Sequence, residues 1–469
     1  MSKLACADLL KLQTGQVRIL AEQVPNVQIS RGKTDMDGPN TMSTGEVGDL
    51  DMAFPMVHRP HRIVGSWTQT RWRTDQWRGL AVFTRYEQKA PPSSHLKLPK
   101  SVISPFVFHS LPSLAMADPD APVSSTTTPL IGSKTHAGSL PILQRLRYLV
   151  TLHLVKLLFD LVLGLLSIPG ICDRSIQPTF KKRYSCHRSL TNRIYIPRSY
   201  KPGGSSLPVY IHMHGGGFSW TNPVADDGFC SNFSNNNNIL VVSLDYPKSP
   251  SYRFPTAVQA LTDLVNAVLD DDSLPIDKSK VAIGGFSAGG NLACAVSQNK
   301  TLQGRIGGLV AFYPPANFLP TTTDELRENP KGAGTTLPQD QLSMFGWGYV
   351  KAGQDLRDPM LSPVFAPRES LPPKICIFGC ELDLLCRQAE IMAEKMANCG
   401  PGQRVGSDLA WERNGVKWEK IPGEDHAFDQ WVAFGAAKVR MRKRGREMYE
   451  NAAGWLQREV YAPEISQSE

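Results

Sequence analysis

The chain has 469 residues, 41% hydrophobic and 20% charged, with a formal net charge of +8, which suits a globular protein of one large domain or a few smaller ones. Its densest basic run, Lys438 to Arg446, has no recognition motif or aromatic stacking set beside it, so the charge argues for a solvated helix face and against a nucleic-acid partner. The nine cysteines form no Cys-x-x-Cys pair and no zinc set, and Met1 to Cys6 opens no long apolar run, so neither a metal centre nor a secretory signal is expected and the protein reads as cytoplasmic.

Residues 1–140 are poor in apolar periodicity and rich in Ser, Thr, Pro and Gly, as in Pro91 to Ser94 and Ala121 to Pro129. Such a composition cannot bury enough apolar surface to offset chain entropy, so a low-order leader is expected. Met116 offers an alternative start within it. Residues 141–168 follow as a strongly apolar helix, with Pro141 at its start and Pro169-Gly170 after its end. Arg145, His153, Lys156 and Asp160 fall within about 80° of one another at helical spacing, which predicts an amphipathic helix rather than a membrane span. Its apolar side needs cover, either from the mouth of an active site or from peripheral contact with a membrane. Residues 141–175 are therefore assigned to a cap helix.

From 176 to 469, strand-like and helix-like runs alternate. Strands are expected at Arg193–Ile196, Val209–Met213, Leu240–Leu244, Val281–Gly284, Leu309–Phe312, Ile375–Phe378 and Lys417–Ile421. Helices are expected at Ala257–Leu269, Ala288–Gln298, Arg387–Ala397 and from Trp431 onward, with Asn235–Asn238 as a polar connector. This order implies an α/β fold, a mostly parallel sheet with helices on both faces. Residues 321–358 break the alternation with Thr, Gly and Pro and then an aromatic run, Met344 to Tyr349, as an inserted cap segment would.

Two motifs carry chemistry. His214-Gly215-Gly216-Gly217 follows the strand-like run Leu207 to Met213, and Gly285-Phe286-Ser287-Ala288-Gly289 stands between a strand and a helix. The second is the pattern of a nucleophile elbow, a turn so tight that only small neighbours fit. The first supplies backbone N–H groups unobstructed by side chains. Over roughly residues 205 to 435 the chain resembles the hormone-sensitive lipase family of α/β-hydrolases. Besides these two motifs, Asp245-Tyr246, Pro250 and Phe254-Pro255 resemble its D-Y-R-L-A-P-E-x-x-F-P segment, Glu381-Leu382-Asp383-Leu384-Leu385 its E-x-D-P-L, and Gly423-Glu424-Asp425-His426-Ala427-Phe428 its G-x-x-H-x-F. The chain departs from the family at Phe286, usually acidic, and at Pro247, Ser251 and Leu384.

The resemblance implies the α/β-hydrolase fold and a serine hydrolase. Ser287 is the expected nucleophile, His426 the base and Asp383 the acid that orients it, in the chain order of the fold. Glu381, two residues from Asp383, is the competing acid. The expected oxyanion donors are the N–H groups of Gly216 and Gly217, from the glycine motif, and of Ala288, which follows the nucleophile. His214, Gly215, Gly285 and Gly289 support the two loops. The expected substrate is a small to medium hydrophobic carboxylic ester, cleaved through an acyl-enzyme without a cofactor. A membrane-docked lipid hydrolase is one alternative. A non-catalytic small-molecule receptor on the same fold is another.

Overall fold

The computed structural model describes residues 137–168, 173–320, 330, 332–430 and 435–462. The leader expected over 1–140, including Met116, lies almost wholly outside these residues. The chain divides into two units, Met1–Ala117 and Asp118–Glu469, and the described elements all belong to the second.

In chain order they are α1 (Ile142–Leu166), β1 (Phe180–Lys182), β2 (Asn192–Tyr195), β3 (Leu207–Met213), α2 (Asp227–Asn237), β4 (Leu240–Leu244), α3 (Thr256–Leu269), β5 (Ile276–Phe286), α4 (Ala288–Ser297), β6 (Gly308–Phe312), α5 (Gln339–Tyr349), β7 (Lys374–Cys380), α6 (Cys386–Ala397), β8 (Val405–Gly406), β9 (Ala410–Arg413), β10 (Val416–Ile421) and α7 (Gly435–Glu459). The strands form one sheet in the order β1-β2-β4-β3-β5-β6-β7-β10-β9-β8. The inner strands, from β4 across to β10, are parallel, and antiparallel pairs close both edges.

The inner strands are parallel because helices cover both faces. Leu240–Leu244 and Gly308–Phe312 are wholly buried and apolar apart from Ser243, the continuous pattern of a doubly covered sheet. One core lies under α3, α4 and α6, with Val258, Leu261, Val265, Leu292 and Met392 among its members. The other lies under α2 and α7, with Phe229, Phe233, Met448, Trp455 and Leu456. The parallel strands all run the same way, so the loops after β3, β4, β5, β6, β7 and β10 converge at one edge of the sheet. That edge is where an open α/β sheet places its ligands.

Some expectations change. Asn235–Asn238 is not a connector, since Asn235 to Asn237 form the last turn of α2 and Asn238 caps it in the left-handed region at φ 54°. The helix forms because Phe229, Cys230 and Phe233 make a buried stripe that outweighs the low propensity of the asparagines. The short edge strands β1, β8 and β9 carry no apolar run and are unmarked in the sequence. The helix expected from Trp431 is described from Gly435 onward, and residues 321–329 and 331 of the expected insertion lie outside the described residues. The helix expected over 141–168 is present as α1, but most of its apolar surface is uncovered. Only Tyr148, Leu152, Val155 and Leu163 are buried, and Tyr148 and Leu152 pack with Leu337, Met344 and Phe345. By length and composition α1 is apolar enough to cross a membrane.

Candidate active site

The elbow is built by close backbone approach. β5 ends at Phe286, and Ser287 turns the chain at φ 50° and ψ −118° before α4 begins at Ala288. That region is costly for a residue with a side chain and holds only where the surroundings enforce it. Here the Ser287 N–H donates to Phe312 O at 2.9 Å, and Ser287 O accepts from Asn291 N–H at 3.1 Å. A Cβ on Gly285 or Gly289 would lie 2.2 or 2.0 Å from Met213 O, so only glycine lets the turn seat against the end of β3. Asn291 Nδ2 donates to Pro315 O and Leu361 O, tying the start of α4 to neighbouring loops.

Ser287, His426 and Asp383 come together from three loops. The Ser287 Oγ lies 2.8 Å from His426 Nε2, and His426 Nδ1 lies 2.6 Å from Asp383 Oδ2. Asp383 is buried in the loop after β7, and its other oxygen accepts from Leu385 N–H at 2.9 Å. Glu381 is engaged elsewhere, accepting from Gly423 N–H at 2.7 Å. Asp425 is turned away from the ring: its Oδ1 accepts the His426 N–H, and its Oδ2 accepts the N–H of Thr336 at 2.7 Å and the hydroxyl of Thr335. Glu424, buried beside it, is held by Arg440 at 3.1 Å and Arg444 at 3.4 Å. Two arginines of the basic run thus meet a buried carboxylate, while Lys438, Arg442, Lys443 and Arg446 are exposed.

The glycine loop is fixed from behind. Tyr246 stacks on the His214 ring, and its hydroxyl lies 3.0 Å from His214 O and 3.3 Å from Gly215 O. Thr221 donates to Gly215 O at 2.7 Å. Burial depresses the His214 pKa, and the Lys248 ammonium adds to the effect, so the neutral ring is favoured. Burial alone would raise the Asp245 pKa, but the Lys248 ammonium and His214 outweigh it and hold that carboxyl well below the usual carboxylate range. Gly216 and Gly217 lie at φ 102° and 58°. His212 is separate from His214, buried and 2.7 Å from Asp226. Among the described residues no group of three or more His, Cys, Asp or Glu is arranged to hold a metal ion.

Phe286, in the family's acidic position, packs in an aromatic cluster with His212, Phe229, Phe312, Tyr313 and Tyr449. An apolar ring therefore stands beneath the elbow in place of a charge. The segment expected as an insertion lies against the glycine loop through α5. A Cβ on Gly217 would fall 2.3 Å from the Phe345 ring, and Phe345 meets Trp220, which stacks on Phe159 of α1. Tyr246 and Asn291 stand inside the motifs, yet their supporting roles were not legible there. Thr221 and the contacts of Asp425 carried no sequence signal, and only the aromatic run at 344–349 pointed toward Phe345.

The family model described as alpha/beta hydrolase fold matches residues 210–428. An arylesterase of Saccharolobus solfataricus is 31% identical over 222 residues, which are 45% of this chain and 68% of the relative. A gibberellin receptor of Arabidopsis thaliana is 30% identical over 222 residues, 42% of this chain and 61% of the receptor. Among solved structures, a thermostable carboxylesterase cloned from a metagenomic library superposes with a TM-score of 0.53 at 27% identity, covering 67% of this chain and 98% of that one. The chain spans about two thirds of the length of the first curated relatives it matches, 66% and 68%. With the glycine loop, the elbow and the converging Ser287, His426 and Asp383 on one sheet edge, the chain belongs to the hormone-sensitive-lipase-like family of the α/β-hydrolase fold.

Proposed function

We propose that the protein hydrolyses carboxylic esters of small to medium hydrophobic substrates through an acyl-enzyme at Ser287. The observation that carries this reading is the unbroken contact from Ser287 Oγ through the His426 ring to Asp383, at 2.8 and 2.6 Å. His426 Nε2 takes the proton as Ser287 Oγ attacks the ester carbonyl, and returns it to the departing alcohol. Asp383 holds the Nδ1–H, fixing the tautomer and stabilising the imidazolium. The N–H groups of Gly216, Gly217 and Ala288 receive the oxyanion. Such preorganised donors are worth roughly 3–4 kcal/mol each. A water activated by His426 then attacks the acyl-Ser287 ester and releases the acid.

Phe345 and Trp220 beside the glycine loop favour an apolar acyl or alcohol group. The receptor reading is weaker, because a receptor needs no base in contact with the serine. Activity-based labelling tests the proposal. A fluorophosphonate should label the full-length protein at Ser287, and Ser287→Ala should abolish both labelling and turnover of p-nitrophenyl esters without loss of the folded state. Retained turnover in Ser287→Ala would remove Ser287 from the mechanism.

A further inference from the structure

The outward side of α1 is apolar where a solvated helix should be polar. Leu143, Leu146, Val150, Leu154, Leu157, Leu161 and Leu165 recur at intervals of three and four. At helical spacing they fall within about 100° of one another, nearly opposite the buried Tyr148, Leu152, Val155 and Leu163. Leu143, Leu154, Leu157 and Leu161 are 79%, 61%, 66% and 60% exposed. The stripe runs along a helix of 25 residues, about 37 Å at the α-helical rise. A continuous apolar strip of that length exceeds what a monomeric surface ordinarily leaves in water.

Composition and charge indicate what covers it. Protein interfaces are enriched in aromatic residues, Met and Arg. From Val150 to Leu161 the stripe holds only Leu and Val, the side chains of a surface meant for hydrocarbon, and Arg147 stands at its N-terminal edge. The helix carries Arg145, Arg147 and Lys156 against a single acid, Asp160; Lys156 pairs with Asp160 and Arg147 with Asp340, which leaves a small positive excess that suits anionic headgroups. A spanning orientation is disfavoured because the helix is committed to the protein, by its buried side and by Arg147 at the edge of the stripe. Arg147 makes a bidentate bond to Asp340 of α5 at 2.8 and 2.9 Å, Tyr148 Oη lies 3.0 Å from the same carboxylate, and Leu152 is 1% exposed.

We infer that α1 docks the protein on a lipid surface, lying in the plane of the interface with the Leu143–Leu165 stripe among the acyl chains and its basic residues toward the headgroups. The docking does not depend on the ester chemistry. It would, however, place the helix that contacts Trp220 and the α5 roof of the proposed site at the boundary from which apolar esters arrive.

Flotation of the full chain with vesicles of phosphatidylcholine and a minority of phosphatidylserine tests the inference. The wild-type chain should float. The triple variant Leu154→Gln, Leu157→Gln and Leu161→Gln should stay at the bottom of the gradient, with partitioning weaker by on the order of 100-fold. These three side chains are exposed, so the variant should fold and cleave p-nitrophenyl acetate at the wild-type rate. A wild-type chain that stays at the bottom, or a variant that floats equally well, overturns the inference. So does a wild-type dimer that becomes a monomer in the variant while neither floats, since a second copy then covers the stripe. A chain that floats but never hydrolyses an ester keeps the docking and rejects the catalytic reading.

Discussion

At the residue scale, the two acids in the loop after β7 have different surroundings. Asp383 meets the imidazole, whereas Glu381 accepts a backbone N–H from Gly423. Asp383→Asn should therefore lower kcat by about 10⁴, the cost of the wrong histidine tautomer in a serine protease. Glu381→Gln should leave kcat within the range set by a slightly looser loop. Steady-state kinetics on one ester separates them, and the opposite ranking would transfer the acid role to Glu381. Asp245 gives a pH prediction. Its pKa is lowered in the folded protein relative to the unfolded chain, so its stabilisation is present above the unfolded value of about 4 and is lost as pH falls through the folded value. The unfolding temperature of wild type should exceed that of Asp245→Asn near neutrality, and the gap should shrink as the solution is acidified below about pH 4. A gap that is constant across that window would show that Asp245 acts without its charge.

At the element scale, the sequence was most legible where one force decided the outcome. Leu240–Leu244 is an apolar run broken only by Ser243 and forms the strand expected of it, and Thr256–Leu269 differs from its expected bounds by one residue. The elbow was legible because its glycines answer to close backbone approach, above all by Met213 O. Where contacts between distant segments decide, the sequence was silent. Polar-looking residues of α2 are helical because Phe229 and Phe233 find a core under the sheet. α1 showed its length and its polar side, but which of its many apolar residues are covered depends on Leu337 and Phe345, far away in the chain, and could not be read. The same asymmetry gives a prediction. Leu152→Asp places an unpaired charge on the buried side, so α1 should leave the roof, and KM for long acyl esters should rise more than KM for acetyl esters. If the two rise together, α1 does not contact the acyl chain.

At the scale of the whole molecule, the candidate site draws on segments from His214 to His426, all within the second unit. The composition of residues 1–115 argues against a core of its own. A protein starting at Met116 should therefore remain soluble and keep the kcat/KM of the full chain on a water-soluble ester. A large loss of kcat/KM would assign the N-terminal residues a part in the site. The aromatic cluster around Phe286 shows how the family pattern can vary while the Ser287–His426 contact is kept. The layer beneath the elbow is filled by rings, while the backbone above it keeps the turn.

The segment expected as an insertion touches three of the loops that bear on the proposed reaction, those after β3, β7 and β10. The Gly334 N–H donates to Leu382 O beside the acid, Thr335 and Thr336 bind the Asp425 carboxylate beside the base, and Phe345 abuts Gly217. A chimera that exchanged this segment for that of another hydrolase would thus inherit more than a new acyl preference. It would also inherit a different grip on the histidine and the acid. If Ser287, His426 and Asp383 act as proposed, substitutions in this stretch of about a dozen residues should change acyl preference and kcat together, as coupled neighbours do.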